Sequence, residues 1–212
     1  MIALYAITDH PTPPVPDADA THVVTSGALA AVCGEVNSGE MTAQALWEHE
    51  RIVEALMSDR DVLPVRYGTS LPDDAAAAQA LQDNRVAYAA SLEAVRGAVE
   101  LAVRVLSATD APPAPAASEG AMTGTEYLRA RARCASEEAE ATTLVHEPLA
   151  AAARAVTVAP VNRAGELLRA AYLVDRDATA FFSARVREIQ EEHPQLRITC
   201  TGPWPPYSFV SR

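Results

Sequence analysis

The chain predicts a two-part α+β protein: an N-terminal α/β-sheet domain over residues 1–97 and a C-terminal modified ferredoxin-like domain over residues 98–212. Three observations carry this. Short apolar or alternating runs of strand length recur between Gly, Pro, Asn and Asp punctuation. Longer stretches repeat apolar residues at three- and four-residue spacing, the mark of one helix face. In the second half the two kinds follow the order β-α-β-β-α-β.

Ile2 to Thr8 is an apolar run ended by Asp9-His10-Pro11 and a proline-rich loop through Pro16, so it reads as a buried first strand. His22–Thr25 and Leu29–Val36 are two further strands separated by Ser26-Gly27. A helix begins near Thr42, with Ala45, Leu46, His49, Ile52, Val53 and Leu56 on one face. Val62 to Gly68 is strand-like, and Pro64 places it at an edge or a bulge. A second helix runs from about Asp73 to Arg96, with Leu81, Tyr88, Leu92 and Val95 inward and Gly97 as its stop.

Val99–Leu106 opens the second half as a strand. Residues 111–120, within a Pro/Ala-rich stretch at about 108–122, have the low complexity of a mobile loop. Thr123-x-x-Glu126 has capping-box form and starts a long helix through Leu128, Ala135 and Val145, which Pro148 kinks or restarts. Val156–Val161 and Leu167–Val174 read as adjacent strands joined at Asn162-Arg163-Ala164-Gly165. Asp175 or Asp177 caps a helix containing Phe181, Val186 and Ile189, and Pro194 follows its end. Leu196–Thr201 is the closing strand. After it, Gly202-Pro203-Trp204-Pro205-Pro206-Tyr207-Ser208-Phe209 reads as a stiff extended arm, because its prolines lack the backbone donor of a helix or central strand.

Composition narrows the function. Apolar residues are 49% of the 212 and aromatics only 5%, so alanine fills much of the interior. All 17 basic residues are Arg and 28 residues are acidic, a net charge of −11 that argues against nucleic acid. Residues 1–97 hold 5 Arg against 14 Asp and Glu, so the first half is the acidic one. That half is expected to repel membranes and nucleic acid and to tolerate a basic or neutral partner. Cys33, Cys134 and Cys200 lack paired spacing and read as small buried hydrophobes in a reducing cytosol. The chain start has no signal-peptide character, and no apolar run reaches the roughly 20 residues of a membrane span, so a cytoplasmic protein is expected.

Catalytic signals are absent: there is no G-x-S-x-G, P-loop or G-x-G-x-x-G. Within Trp47-Glu48-His49-Glu50-Arg51, the three central side chains leave a helix in different directions and cannot converge on one metal or proton. His49 lies on the apolar face and is expected to be a hydrogen-bonded core histidine. His10, His22, His146 and His193 have no metal spacing with any Cys or acid. Arg66, among strand apolars, either clamps an anion or pairs with Glu48 or Glu50 of the preceding helix. The motifs give no sign of catalysis or of a cofactor, and an enzyme whose side chains converge only in space stays open at this point.

Several segments together resemble the gas vesicle protein F/L family. They are residues 45–54 (ALWEHERIVE), with Trp47, His49 and Arg51; residues 62–69 (VLPVRYGT), with Arg66; Gly124–Leu128; Ala171–Val174; and the terminal Gly202–Phe209. The compact length leans toward the F form. The resemblance implies a two-domain, non-enzymatic accessory protein of gas-vesicle formation, a minor component that is cytoplasmic and vesicle-associated. It also implies binding of the hydrophobic main shell protein, prevention of its aggregation, help in vesicle assembly, and contact with other gas vesicle accessory proteins. An exposed sheet edge or apolar groove would supply the dock. The expected contacts are Leu63, Val65 and Tyr67 on the proline-bearing strand, and Trp204, Tyr207 and Phe209 on the tail. The competing readings are a small-molecule-binding regulatory protein with a ferredoxin-like domain and a cofactor-free oxygenase-like enzyme of similar fold. The first predicts ligand-induced stabilisation and the second a closed polar cavity near His49 or Arg66.

Overall fold

The computed structural model describes residues 1–9, 21–36, 42–108, 124–161 and 165–210. The proline loop after Asp9, His10, the Pro/Ala stretch, the Thr123 cap and the 162–164 turn lie outside them. By internal contacts the chain divides into two compact units, Met1–Val99 with Trp204–Arg212, and Glu100–Pro203.

The first unit is built on a sheet of β1 (Ile2–Asp9), β2 (Thr21–Ser26), β3 (Leu29–Glu35), β4 (Leu63–Pro64) and β5 (Ser70–Leu71). The strand order is β2-β3-β1-β4, with β5 also on β1, and the β1–β3, β1–β4, β1–β5 and β2–β3 pairs are antiparallel. Gly27, at φ 62°, makes the tight β2–β3 turn possible where a side chain would be strained. The register slips between Leu4 and Ala6, so Tyr5 sits at an irregularity of β1. A bulge re-aims the side chain it carries, and Tyr5 stands against His49 at a ring separation of 5.1 Å.

Helix α1 (Ala43–Met57) starts where expected: the Thr42 hydroxyl accepts the Ala45 amide at 3.2 Å. It buries His49, Val53, Leu56 and Met57, but Leu46 is 44% exposed and so stands outside the face assigned to it. The long second helix is two helices, α2 (Asp74–Asp83) and α3 (Arg85–Val95). Asn84 breaks it because its own amide bonds the Ala80 carbonyl and its backbone leaves the helical region. Val62–Gly68 contributes only the two-residue β4; Val65 adds one amide to the Tyr5 carbonyl at 2.8 Å, and the rest is loop. The core of this unit is small-chained where strands meet, with Ala6, Ala30, Ala31 and Val32 beside Leu56, Val62 and Val99.

The second unit runs β6 (Ala98–Ser107), α4 (Gly124–Ala141), α5 (Glu147–Ala150), β7 (Ala155–Val158), β8 (Glu166–Asp175), α6 (Thr179–Glu192) and β9 (Leu196–Trp204). Its sheet has the order β7-β8-β6-β9. A π-helical turn, Thr142–His146, joins α4 to α5 just before Pro148. Pro148 removes a donor and its ring presses on the carbonyl four residues back, so the wider turn accommodates it. The core packs Leu101, Val103, Val105, Tyr172, Phe182, Val186 and Ile189. Helix α6 carries Phe181, Val186 and Ile189 as expected, with Phe182 in the core and Phe181 67% exposed. One expectation fails: neither Asp175 nor Asp177 makes a side-chain cap, and a 3₁₀ turn, Arg176–Ala178, leads into α6 instead. Leu128 and Ala135 on α4 are exposed, and Val145 in the π-helical turn is buried.

The terminal arm also differs from expectation. Strand β9, last in its sheet, continues to Trp204 across a cis Gly202–Pro203 bond, and Tyr207–Phe209 form a 3₁₀ turn. An edge strand tolerates the missing proline donor. The short turn is sealed by the Tyr207 and Phe209 amides, which donate to the Pro205 and Pro206 carbonyls at 2.8 and 3.1 Å.

Candidate functional site

Within the first unit, the loop after β4 and the chain terminus meet across a cleft of about 440 Å³. It is lined by Leu4 and Ile7 from β1, Leu63, Pro64, Val65, Arg66 and Thr69 from β4 and its loop, Tyr88 from α3, and Tyr207 and Val210 from the tail. The lining is largely aliphatic and aromatic and includes no carboxylate.

Two side-chain bonds shape its walls. His49, buried on α1, donates from Nε2 to the Val65 carbonyl at 2.7 Å and holds the loop against the helix. Its ring lies between Tyr5 and Tyr67, the latter edge-on at 5.6 Å. Burial holds its pKa below the ordinary value, with the Val65 bond and Glu50 opposing. On the other side the Tyr207 hydroxyl donates to Glu50 Oε1 at 3.0 Å, tying the tail to α1 across 157 residues. Burial, and then the charge of Glu50, push the Tyr207 phenol pKa up.

The residues singled out from the sequence therefore separate. Leu63, Val65 and Tyr207 come together in the cleft, with Arg66 beside them. Tyr67 is not in the lining; it is half-buried against His49. Trp204 is 41% exposed, and Phe209 is half-buried outside the lining. Trp47 is 74% exposed and Arg51 is exposed, both on the outer side of α1. Glu48, His49 and Glu50 do diverge, to Gln44, Val65 and Tyr207 in turn. Arg66 does not pair with Glu48 or Glu50, which accept from the Gln44 amide and the Tyr207 hydroxyl; its exposed guanidinium has no partner among the described residues.

Sequence reading missed Leu4, Ile7, Tyr88 and Val210. Nothing local marks them, since each is an ordinary apolar position of its own element. It also missed Glu166, whose fully buried carboxylate in the second unit is held by Arg104 Nε at 3.0 Å and by Arg169 at 3.0 and 3.1 Å. A buried charge needs such partners, and two arginines supply donors to both oxygens. His146 Nδ1 and the Tyr172 hydroxyl share a 2.9 Å hydrogen bond in the same unit. Cys33 is fully buried, which pushes its thiol up to about 11, and Cys200 is half-buried with its thiol raised by burial. Neither has the exposed, cation-flanked setting of a reactive thiol.

No helix among the described residues is long and apolar enough to cross a membrane.

The described architecture, two sheets each paired with helices, is that of known gas vesicle proteins. The chain superposes over its full length on the crystal structure of gas vesicle protein GvpF from Anabaena sp. PCC7120, with a TM-score of 0.83, 19% identity and 96% of that chain covered. GvpF from Microcystis aeruginosa gives 0.81 at 17% identity, covering 100% of this chain and 99% of that one. The family model for gas vesicle synthesis protein GvpL/GvpF matches residues 2–211, and the chain belongs to that family. It is 31% identical to gas vesicle protein L of Streptomyces sp. (strain CB03234), over 87% of this chain and 80% of that protein. To gas vesicle protein F of the same strain it is 30% identical, over 93% and 89%. Relatives of both names thus stand at nearly the same distance, and the lean toward F that length suggested gains nothing from them.

Proposed function

We propose that this chain is a gas-vesicle accessory protein that binds the hydrophobic main shell protein in the cleft of its first unit, keeps it from aggregating and assists vesicle assembly. Family membership supports the vesicle role, and the cleft is the single observation that supports the mode of binding. A holder of an aggregation-prone protein must cover apolar surface while remaining dispersed itself. The cleft offers the apolar cover, each fully buried aliphatic side chain of an occupant contributing about 1.5–3 kcal/mol. The net charge of −11 favours dispersal and discourages self-association.

Val65 and Tyr207 are the contact residues the geometry favours, with Leu63, 1% exposed, forming the wall behind them. Trp204 and Phe209 are assigned to the rim. Tyr67 acts at one remove, by packing on the histidine that holds the loop. The site of action is the cytoplasm, at or near growing vesicles, and other vesicle accessory proteins are further partners. We also read Glu100–Pro203 as a modified ferredoxin-like domain, supported by its β-α-β-β-α-β order and its β7-β8-β6-β9 sheet.

Co-expression with the main shell protein tests the proposal, scoring how much shell protein stays soluble and co-purifies. Retention by the native chain and its loss in Val65→Asp, with circular dichroism and melting temperature unchanged, is the expected result. Equal retention with and without the chain would overturn the chaperone reading.

A further inference from the structure

We propose that the cleft recognises an apolar peptide segment that also carries a carboxylate side chain, with Arg66 as the residue that selects for it. This rests on the shell-protein reading of the cleft and adds the chemistry of the segment that enters.

The argument begins with charge. The first half of the chain carries 14 acidic residues against 5 arginines, so a cation there is expected to be neutralised locally. Asp59 neutralises Arg60, and Asp9, Asp61 and Glu93 gather around Arg96. Arg66, like Arg51 and Arg85, forms no ion pair among the described residues, and of these three it is the one that lines the cleft. Neither Glu48 nor Glu50 of α1 pairs with it; they accept from the Gln44 amide and the Tyr207 hydroxyl. The guanidinium is left at the wall of a cleft whose lining holds no acid.

Two further polar side chains line the same cleft, Thr69 and Tyr88, and no protein group bonds either hydroxyl among the described residues. Arg66, Thr69 and Tyr88 are all able to donate, and a carboxylate is the peptide group that accepts from several donors at once. A wholly apolar segment would offer these donors no acceptor of its own, whereas a carboxylate would. A segment with a basic side chain, which the net charge of this half tolerates, would still meet like charge at Arg66 itself. An aliphatic segment bearing Asp or Glu satisfies both halves of the lining. The charge also supplies selectivity, since an apolar groove alone discriminates poorly among hydrophobic sequences.

Arg66 is exposed, so its replacement leaves the core intact. The test co-expresses the full chain with the main shell protein and measures soluble complex for Arg66→Glu, Arg66→Lys and the cleft-filling Thr69→Trp. A second readout titrates the same chains with an amidated, N-acetylated helical peptide bearing leucines on one face and a single aspartate beside them. Its Asp→Asn and Asp→Arg versions complete the set. Arg66→Glu is expected to weaken capture and aspartate-peptide binding by about tenfold or more. Arg66→Lys should retain part of the binding, and the Asp→Arg peptide should bind Arg66→Glu better than the native chain. Thr69→Trp should abolish all of it. If Arg66→Glu captures as well as the native chain while Thr69→Trp does not, the carboxylate inference is wrong and the cleft reading stands. If both variants capture normally, the cleft reading fails with it. If the Asp→Asn peptide binds the native chain as tightly as the aspartate peptide, no carboxylate is read, which also overturns the proposal.

Discussion

His49 shows how one side chain couples the pattern of α1 to the shape of the site. Three neighbours surround it: the Val65 carbonyl, which accepts its Nε2 proton at 2.7 Å, and the rings of Tyr5 and Tyr67. Its folded pKa lies below the ordinary 6.5, chiefly because burial disfavours the imidazolium. The unfolded chain therefore binds more protons between the folded value and about 6.5, and stability falls as pH drops through that window. The contribution is complete above about pH 6.5 and is lost toward the folded pKa. His49→Gln keeps a donor for Val65 but does not titrate. Denaturant melts between about pH 7.5 and 5.5 should show a larger stability loss in the native chain than in this variant; equal losses would assign the pH dependence to other groups. His49→Leu leaves the Val65 carbonyl without its donor and should cost about 1–3 kcal/mol at neutral pH. The inward placement of His49 was legible in the sequence, because apolar residues three and four positions away share its face. Its partner was not, since Val65 lies on a separate segment.

At the scale of elements, sequence signals with a local physical cause located the elements well. Thr42 caps α1 with its own hydroxyl, Pro64 sits on an edge strand, and Pro148 follows a widened turn. Gly97 ends α3 at φ 65°, where its amide donates to Asp61 Oδ1 at 2.8 Å. A side chain there would be strained, so Gly97→Ala should lower stability by about 1–2 kcal/mol, read as a shift in denaturation midpoint at constant m-value. An unchanged midpoint would mean that the turn relaxes freely. Signals failed where the choice is made by packing. Phe181 and Phe182 are equivalent in composition, and only contact with Tyr172, at 5.3 Å from Phe182, decides which one is inside. Leu46 fits the apolar period of α1 yet remains exposed, and Asn84 divides a stretch whose alanines and leucines favour one continuous helix.

For the whole molecule, the candidate site is a product of chain closure. Its lining runs from Leu4 to Val210, so no window of sequence contains it. The sequence pointed to the Leu63–Arg66 and Tyr207 segments because prolines and aromatics stand out there. It left Leu4, Ile7, Tyr88 and Val210 unmarked because they differ from core residues only in what they face. The tail is the part whose contribution can be removed cleanly. Ending the chain after Pro206 deletes the Tyr207 hydroxyl bonded to Glu50 and takes both tail residues from the lining. That loss should destabilise the first unit by about 1–3 kcal/mol, from one charge-assisted hydrogen bond and the apolar cover of Tyr207 and Val210. Hydrogen exchange separates the units: amides of β1 and β3 should lose protection, while those of Leu101–Val105 and Tyr172–Val174 should keep it. Soluble shell protein should fall in parallel with the loss of the cleft wall. If the truncated chain still holds shell protein as well as the native one, the tail only covers the core, and the contact surface lies on β4 and its loop alone.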